Sequence, residues 1–340
     1  MKILKSRKEY WCSQKGTCSK KSIIYFLIIL ICLSCTGCNK ADDNNNKKKS
    51  ESITTASVTP TTIASQDISM EKSTSSSEVR IKDSTPNIQE VDYKEYFDNM
   101  KGCAVFFNRD TSVYEIYNRE LCEKRSSPYS TFKIISTLIG LENGVINSVD
   151  STMGYDGTIY SNEKWNADLN LKNAFKESCV WYYKKVIDRI GQNKVQKWLD
   201  ELDYGNRDIS QWNGNGTNSF PLLNGFWLDS SLEISPMEQV DILAKILENR
   251  TAFSEKNINI LKDVMLIQKD SNVTVYGKTG AGKSISAGNI ANGWFVGMFE
   301  SDNGTYYFAV RLTDDKEKGV SGLKAKKIAL NIVYKHYANQ

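Results

Sequence analysis

Two short motifs in the chain combine residues that can carry out chemistry at a fixed spacing. The first is Ser130-Thr131-Phe132-Lys133, in which a hydroxyl and an amine lie three residues apart. On a helix, side chains at i and i+3 share a face, so the amine can reach the hydroxyl. Serine becomes a strong nucleophile when an adjacent base takes its proton. Only this copy of S-x-x-K opens an apolar helical pattern; the same spacing also occurs at Ser69, Ser161 and Ser321.

The second motif is the octapeptide 277–284, which satisfies two functional patterns that lead to different proteins. As G-x-x-x-x-G-K-S it is a phosphate-binding P-loop, and as Lys278-Thr279-Gly280 it is a substrate-facing strand. A P-loop requires a helix directly after it. Residues 285–293 contain two Gly and two Asn and run into the next strand pattern. Each Gly would destabilise a helix by about 1 kcal/mol relative to Ala, so the strand interpretation is favoured.

Further segments, found in the same order along the chain, complete a resemblance to a known family. The chain resembles the class D, oxacillinase-type, serine β-lactamases and the closely related β-lactam sensor domains, over essentially residues 93–340. The segments that carry the resemblance are Ser127–Ile134, Ser178-Cys179-Val180, Tyr204-Gly205-Asn206, Phe226-Trp227-Leu228, Lys278-Thr279-Gly280 and Gly293–Gly297. Two departures bear on substrate spectrum: Ser230 stands where the family usually has Gly, and the stretch between Tyr204 and Trp227 is extended.

The resemblance implies hydrolysis of β-lactam antibiotics through a covalent acyl-enzyme. Ser130 would be the nucleophile, and Lys133 the general base in the form of a carbamate made from its amine and carbon dioxide. Trp227 would donate its indole N–H to that carbamate. Ser178, assisted by Lys278, would relay a proton to the lactam nitrogen. No metal and no other cofactor is expected.

The same resemblance assigns the residues around the substrate. Val180 and Leu228 would form an apolar wall that limits water, and Tyr204 would shape the pocket wall. The hydroxyl of Thr279 would bind the substrate carboxylate, together with Lys324 in place of the arginine that many relatives use. In the Gly280–Ala281 part of the strand, the backbone N–H of Ala281 would form an oxyanion hole with that of Ser130.

Two functions without turnover compete with the hydrolase prediction. A β-lactam sensor acylates and stays acylated, but sensors of that type carry several membrane helices and an H-E-x-x-H metalloprotease segment, which this sequence does not contain. A peptidoglycan transpeptidase shares the serine–lysine and K-T-G motifs, but its middle motif normally ends in Asn, where this chain has Val180. The sequence therefore favours the hydrolase.

The elements that must position these residues follow from the pattern of apolar residues. Cys103–Phe107 and Val113–Tyr117 predict a β-hairpin, and a helix is predicted from Ser130. Ser235-Pro236-Met237-Glu238 is a capping box that opens another helix. The chain closes with three predicted strands and a helix, at Val273–Lys278, Trp294–Phe299, Thr305–Leu312 and Gly322–Tyr337. We expect an α+β domain whose mostly antiparallel central sheet is built from both termini and flanked by helices.

The first 92 residues predict export rather than a folded domain. Residues 1–38 combine a basic start, an apolar run from Ile23 to Leu33 and a cysteine-containing end, which is typical of an export signal. Cys35-Thr36-Gly37-Cys38 resembles a lipoprotein processing site, so Cys38 is the predicted lipidated residue. Residues 39–92 contain no aromatic residue and no Gly and are predicted to be a disordered linker before the catalytic domain at 93–340. We expect an exported protein anchored on the outer face of the cell membrane, or alternatively a secreted one.

Composition excludes several other functions. The formal net charge is +4, and the basic signal region supplies more than this surplus, so no nucleic-acid footprint remains in the body. No nucleotide partner is expected either, because the P-loop interpretation of residues 277–284 is not favoured. The single histidine, His336, excludes most multi-histidine zinc sites and, unless it acts itself, a Ser-His-Asp triad. Cys103, Cys122 and Cys179 allow at most one disulfide in the body, with Cys103–Cys122 as the favoured pair.

Overall fold

The computed structural model describes residues 86–284, 288–314 and 319–338. The predicted export signal, Cys38 and all but the last residues of the predicted linker lie outside the described residues. The first strand begins at Asn87 and is therefore part of the folded body, ahead of the boundary predicted at Tyr93. Within the described part of the chain, no helix combines the length and the apolar character needed to cross a membrane.

Seven strands form one sheet, in the spatial order β1-β3-β2-β7-β6-β5-β4. Their bounds are β1 Asn87–Glu90, β2 Gly102–Asn108, β3 Val113–Tyr117, β4 Leu266–Lys269, β5 Val273–Ser284, β6 Ile290–Ser301 and β7 Gly304–Asp314. Strand β1 runs parallel to β3, whereas the remaining pairings are antiparallel. The sheet is thus mixed, which corrects the prediction of a mostly antiparallel sheet. Its strands do come from both ends of the domain, as predicted.

Helices flank this sheet. Among the described residues they are α1 Lys94–Phe97, α2 Arg119–Glu123, α3 Lys133–Glu142, α4 Leu171–Lys176, α5 Val180–Ile190, α6 Gln192–Leu202, α7 Pro236–Leu247, α8 Glu255–Met265 and α9 Gly322–Ile332. The predicted capping box opens α7, where the Ser235 side chain accepts from the backbone N–H of Glu238. The predicted final helix ends as a π-helical turn, Val333–Tyr337.

Two hydrophobic cores cover the two faces of the sheet. Side chains alternate between the faces of a strand, and β6 shows this alternation directly. Trp294, Val296 and Met298 join the larger core, which also holds the buried faces of α3, α5, α7 and α8. Phe295 and Phe299 join the second core, beneath α9. The larger core is the one that holds Phe132 and Trp227, so the predicted chemistry lies on that side of the sheet.

The octapeptide 277–284 lies wholly within strand β5. Its antiparallel pairing with β6 continues as far as Ser284 opposite Ile290. Only residues 285–289 separate the two strands, which leaves no room for the helix that a P-loop needs. The strand interpretation of this motif is therefore confirmed.

The described cysteines are buried free thiols. The Cys122 thiol lies 3.3 Å from the Tyr117 carbonyl oxygen and 3.4 Å from that of Ala104. The disulfide between Cys103 and Cys122, which the sequence leaves open, is not formed in this structure.

Candidate active site

The predicted nucleophile lies in a tight turn that leads directly into α3. Tyr129–Phe132 form a 3₁₀ turn, and Lys133 is the first residue of α3, so the helix starts three residues later than the sequence predicted. The turn is held by a hydrogen bond from the Tyr129 N–H to the Trp227 carbonyl (3.0 Å) and another from the Thr131 N–H to the Pro128 carbonyl (3.2 Å). Tyr129 has a φ of 50°, in the left-handed region, so the residue before the nucleophile is conformationally strained.

Lys133 reaches the nucleophile from inside the protein. Its Nζ atom lies 3.0 Å from Oγ of Ser130, while the lysine side chain is completely buried. Nζ also lies 5.2 Å from the centre of the Tyr183 ring. Burial lowers the pKa of Lys133 from its ordinary 10.5 to about 7, because the charged form loses its hydration. A substantial fraction of neutral amine near pH 7 can therefore accept the serine proton.

Trp227 lies buried beside this end of α3. Its ring packs 5.8 Å from that of Phe132, the residue before Lys133. A Cβ atom at Gly225 would lie 2.5 Å from the indole, so the glycine is needed for the ring to occupy this position. The indole Nε1 is buried, and no hydrogen-bond partner for it is described. A buried donor without a partner is expensive and marks a position where an acceptor fits.

Ser178 and Lys278 form a second serine–lysine contact. Ser178 lies between α4 and α5 with a φ of 54°, and Lys278 points to it from β5. Nζ of Lys278 donates to Oγ of Ser178 at 2.5 Å and to the Thr279 carbonyl at 3.1 Å. The pKa of Lys278 is held well below its usual range by burial and then by the charges of Lys133 and Lys326. Gly280, two residues after Lys278 on β5, lies against the turn that carries Ser130, so the two contacts lie in one site.

Strand β5 packs closely against the nucleophile turn through its glycines. A Cβ atom at Gly280 would lie 3.0 Å from the Pro128 carbonyl oxygen and 3.1 Å from the Thr131 side chain. A Cβ atom at Gly282 would lie 2.0 Å from the Tyr129 ring. Ala281, between these glycines, is exposed beside the turn that carries Ser130. These contacts place β5 directly against the turn that carries Ser130.

The structure brings most of the predicted residues together. Val180 and Leu228 are partly exposed, at the start of α5 and directly after Trp227, and Thr279 is partly exposed on β5. Cys179, between Ser178 and Val180, is fully buried, and burial raises the pKa of its thiol to about 12. This supports the interpretation of Cys179 as a packing residue.

Two predicted residues are placed elsewhere. Tyr204 is 1% exposed and packs under Phe132 at a ring distance of 5.6 Å, so it supports the site from inside and is not a pocket wall. Lys324 pairs with Asp98 at 3.4 Å, and neither residue lines the cavity beside Thr279. The physical reason is helical periodicity, since α9 turns by 100° per residue and directs neighbouring side chains differently.

Sequence reasoning missed two residues beside Lys278. Lys326, two positions after Lys324 on α9, lines the cavity formed with Lys278 and Thr279. Phe175 is 1% exposed and lies with its ring centre 5.5 Å from Nζ of Lys278. The S-x-V motif three residues after Phe175 offered a signal of its nearness to the site, whereas nothing local distinguished Lys326 from Lys324.

The site thus combines a partly exposed serine in contact with a buried lysine and a second serine–lysine contact on the K-T-G strand. Residues 43–334 match the model of the penicillin binding protein transpeptidase domain. The chain is 37% identical to the regulatory protein BlaR1 of Bacillus licheniformis over 73% of its own length, which is 39% of that relative's length. It is 32% identical to the Bacillus subtilis (strain 168) protein named "Probable beta-lactamase YbxI", covering 74% of this chain and 86% of the relative.

A solved structure shows the same similarity to class D β-lactamases. The crystal structure of a class D β-lactamase from Bacillus subtilis matches with a TM-score of 0.64 and 32% identity, over 74% of this chain and 97% of that one. The chain therefore belongs to the penicillin-binding protein transpeptidase domain family, among the class D β-lactamases and their BlaR1 relatives.

Proposed function

We propose that this protein hydrolyses β-lactam antibiotics through an acyl-enzyme on Ser130. The observation that carries the proposal is the Ser130–Lys133 contact of 3.0 Å, with Lys133 fully buried and its pKa lowered to about 7. A lysine at its ordinary pKa would be protonated at neutral pH and unable to act as a base. The similarity to class D β-lactamases supports the same conclusion.

The arrangement supports a complete acylation step. Ser130 Oγ attacks the lactam carbonyl carbon while the base at position 133 takes its proton, and the N–H groups of Ser130 and Ala281 hold the oxyanion. The lactam C–N bond then breaks. Ser178, in contact with Lys278, relays a proton to the departing nitrogen, and the proton taken by the base at position 133 replaces it on the Ser178 hydroxyl. Thr279 binds the substrate carboxylate through its hydroxyl.

The residues around Lys133 fit a carbamate on its amine. A neutral amine is the form that reacts with carbon dioxide, and burial gives Lys133 this form near neutral pH. The unpartnered, buried Nε1–H of Trp227 is a donor suited to an anionic oxygen. When present, a carbamate would supply a general base for both acylation and deacylation. Val180 and Leu228 would limit the access of water to it.

Bicarbonate dependence tests the carbamate. We expect steady-state turnover to fall when bicarbonate is removed or the pH is lowered, and to recover when bicarbonate is added. A binding readout independent of activity is the carbon-13 NMR signal of labelled bicarbonate, expected in the wild type and lost in Lys133→Ala. Equal turnover with and without bicarbonate, or a Lys133→Ala variant that still turns over, would contradict the assignment.

The similarity to BlaR1 makes a receptor that keeps its acyl group the second candidate. The structure of the C-terminal domain of the Bacillus licheniformis BlaR penicillin-receptor is 37% identical to this chain, with a TM-score of 0.65. The deacylation rate after one equivalent of a penicillin separates the two functions. Return of the free enzyme mass within seconds to minutes marks the hydrolase, whereas an adduct that persists for hours marks a receptor or a transpeptidase.

We also propose that the protein is exported and anchored by a lipid on Cys38, with residues 39–86 as the tether to the catalytic domain, since β1 at Asn87–Glu90 already belongs to the sheet. The support is the signal-like composition of residues 1–38 and the Cys35–Cys38 segment. Fractionation of cells that express the wild type and Cys38→Ser tests this. We expect wild-type activity in the membrane fraction, labelled by a fatty-acid probe, and unlabelled Cys38→Ser in the medium. Equal membrane retention of both proteins would contradict lipidation at this residue.

A further inference from the structure

A cavity of about 270 Å³ adjoins the proposed active site on the Lys278 side of strand β5. Lys278 and Thr279 form part of its wall. The start of α9 forms another part, because Gly322 packs so closely that a Cβ atom there would lie 3.0 Å from Cβ of Thr279. The cavity is thus continuous with the residue that we assign to the substrate carboxylate.

The cavity is rich in lysine side chains without partners. Lys172 and Lys176, one turn apart on α4, and Lys326 on α9 all line it. Across the described ranges of the chain, none of the three has an ion-pair or hydrogen-bond partner for its ammonium group. Asp263 is the acidic residue in the lining. Apart from Lys278, whose pKa burial lowers, three lysines against one carboxylate give the cavity a positive potential, which favours an anionic ligand.

The rim of the same cavity is apolar and exposed. Leu323 is 75% exposed and Leu266 is 46% exposed, and both line the cavity, with Phe175 deeper in its wall. Exposed large apolar side chains at the edge of a cavity are typical of binding sites, since they gain by covering a ligand. An anionic group attached to a flat or apolar body would match both properties.

The chemistry of the substrate indicates which group reaches this cavity. In a cephalosporin, the ring carbon that bears the carboxylate is bonded to C3, which carries the second side chain. With the carboxylate at Thr279, a substituent on C3 lies next to the Thr279 side of the cavity. We infer that this lysine-lined cavity is a subsite for an anionic C3 substituent of cephalosporins, with Lys326 as its principal cation. This inference rests on the proposed function.

The experiment compares three cephalosporins with the same aminothiazolyl methoxyimino acyl group. Their C3 substituents are an anionic triazinyl thiomethyl, a neutral acetoxymethyl and a cationic pyrrolidiniomethyl group. The second-order rate of Ser130 acylation is measured for each by stopped flow and mass spectrometry. Acylation is used because it does not depend on turnover. The readout is the acylation rate constant of the anionic substrate divided by that of the neutral one. This ratio cancels any general effect of Lys326 on Lys278.

We expect the wild type to acylate faster with the anionic than with the cationic substrate. Lys326→Gln should lower the anionic-to-neutral ratio about threefold to fivefold, the size of a partly exposed ion pair. Lys326→Glu should reverse the preference in favour of the cationic substrate. Added salt should reduce the wild-type preference. Lys194→Glu, the same charge change at an exposed residue of α6 outside the cavity lining, should leave the ratio unchanged.

Three results would overturn the subsite. The first is an unchanged rate ratio in Lys326→Glu. The second is an equal loss of acylation rate with all three substrates, which would make Lys326 a ligand of the common carboxylate. The third is acylation by a penicillin but by none of the cephalosporins. In each case the proposed acylation of Ser130 would stand. If no β-lactam acylates Ser130, both the subsite and the proposed function are wrong.

Discussion

Replacement of Lys133 by methionine should inactivate the protein but stabilise its fold. Burial lowers the pKa of Lys133 from 10.5 to about 7. At pH 7 the amine of residue 133 is therefore fully protonated in the unfolded chain but only partly protonated in the folded one. Since one pKa unit corresponds to about 1.4 kcal/mol, this difference destabilises the native state by about 4 kcal/mol at pH 7. Methionine has a similar length and no charge, so Lys133→Met removes this penalty.

The net gain in the free energy of unfolding of Lys133→Met depends on pH in a defined direction. Loss of the Nζ–Ser130 hydrogen bond costs about 1 kcal/mol, which leaves a gain of about 3 kcal/mol at pH 7. Because the folded pKa of Lys133 is depressed, wild-type stability rises with pH between the folded and the unfolded pKa. The gain of Lys133→Met should therefore shrink to about zero near pH 10. At about 2–4 °C per kcal/mol for a domain of this size, the melting temperature should rise by about 6–12 °C at pH 7.

Urea unfolding of the wild type and Lys133→Met between pH 7 and 10, in bicarbonate-free buffer, measures this gain. Lys194→Met, which changes an exposed lysine of α6, is the matched control and should shift stability by no more than about 0.5 kcal/mol. A Lys133→Met variant that is no more stable than the wild type at pH 7, or a gain that does not vary with pH, would refute a buried neutral lysine.

Two further changes test how the site is positioned, and a third tests a helix cap outside it. Gly282→Ala should slow acylation by about tenfold or more, with little change in folding. Its Cβ would lie 2.0 Å from the Tyr129 ring and displace the nucleophile turn. The acylation rate is measured from burst kinetics. Gly225→Ala should slow deacylation more than acylation, because its Cβ would lie 2.5 Å from the Trp227 ring; equal losses in both steps would contradict a role at the base. Ser235→Ala should lower the free energy of unfolding by about 1 kcal/mol in urea titrations, with unchanged kcat, since it removes only the cap of α7.

Local patterns were sufficient for the residues that act together over short distances in the chain. The spacing of Ser130 and Lys133 predicted their contact, because neighbouring turns of the backbone bring i and i+3 side chains together regardless of the rest of the fold. The hairpin of β2 and β3 and the helix after Ser235 were predicted for the same reason. These features depend on geometry that repeats every few residues.

Predictions that depended on contacts between distant segments were less successful. The parallel pairing of Asn87–Glu90 with β3 was missed, because a short polar segment has no local signal for its pairing partner. Tyr204 was predicted at the pocket wall but is buried against Phe132, a contact between segments that are far apart in the chain. Lys324 was predicted beside Thr279, but Lys326 lines that cavity and Lys324 pairs with Asp98. Which of the two lysines faces the cavity depends on how α9 is rotated against β5.

The sequence by itself determined the chemistry of this protein: a serine with a lysine one turn away, a second serine, and a strand of K-T-G type. It could not determine that the pKa of the lysine amine is lowered, because a pKa depends on the surrounding atoms, and these come from segments far apart in the chain. The tertiary structure decided this by burying Lys133 completely and by bringing Ser178 into contact with Lys278. It also decided which lysine of α9 faces the cavity, since the rotation of a helix is fixed only by what it packs against.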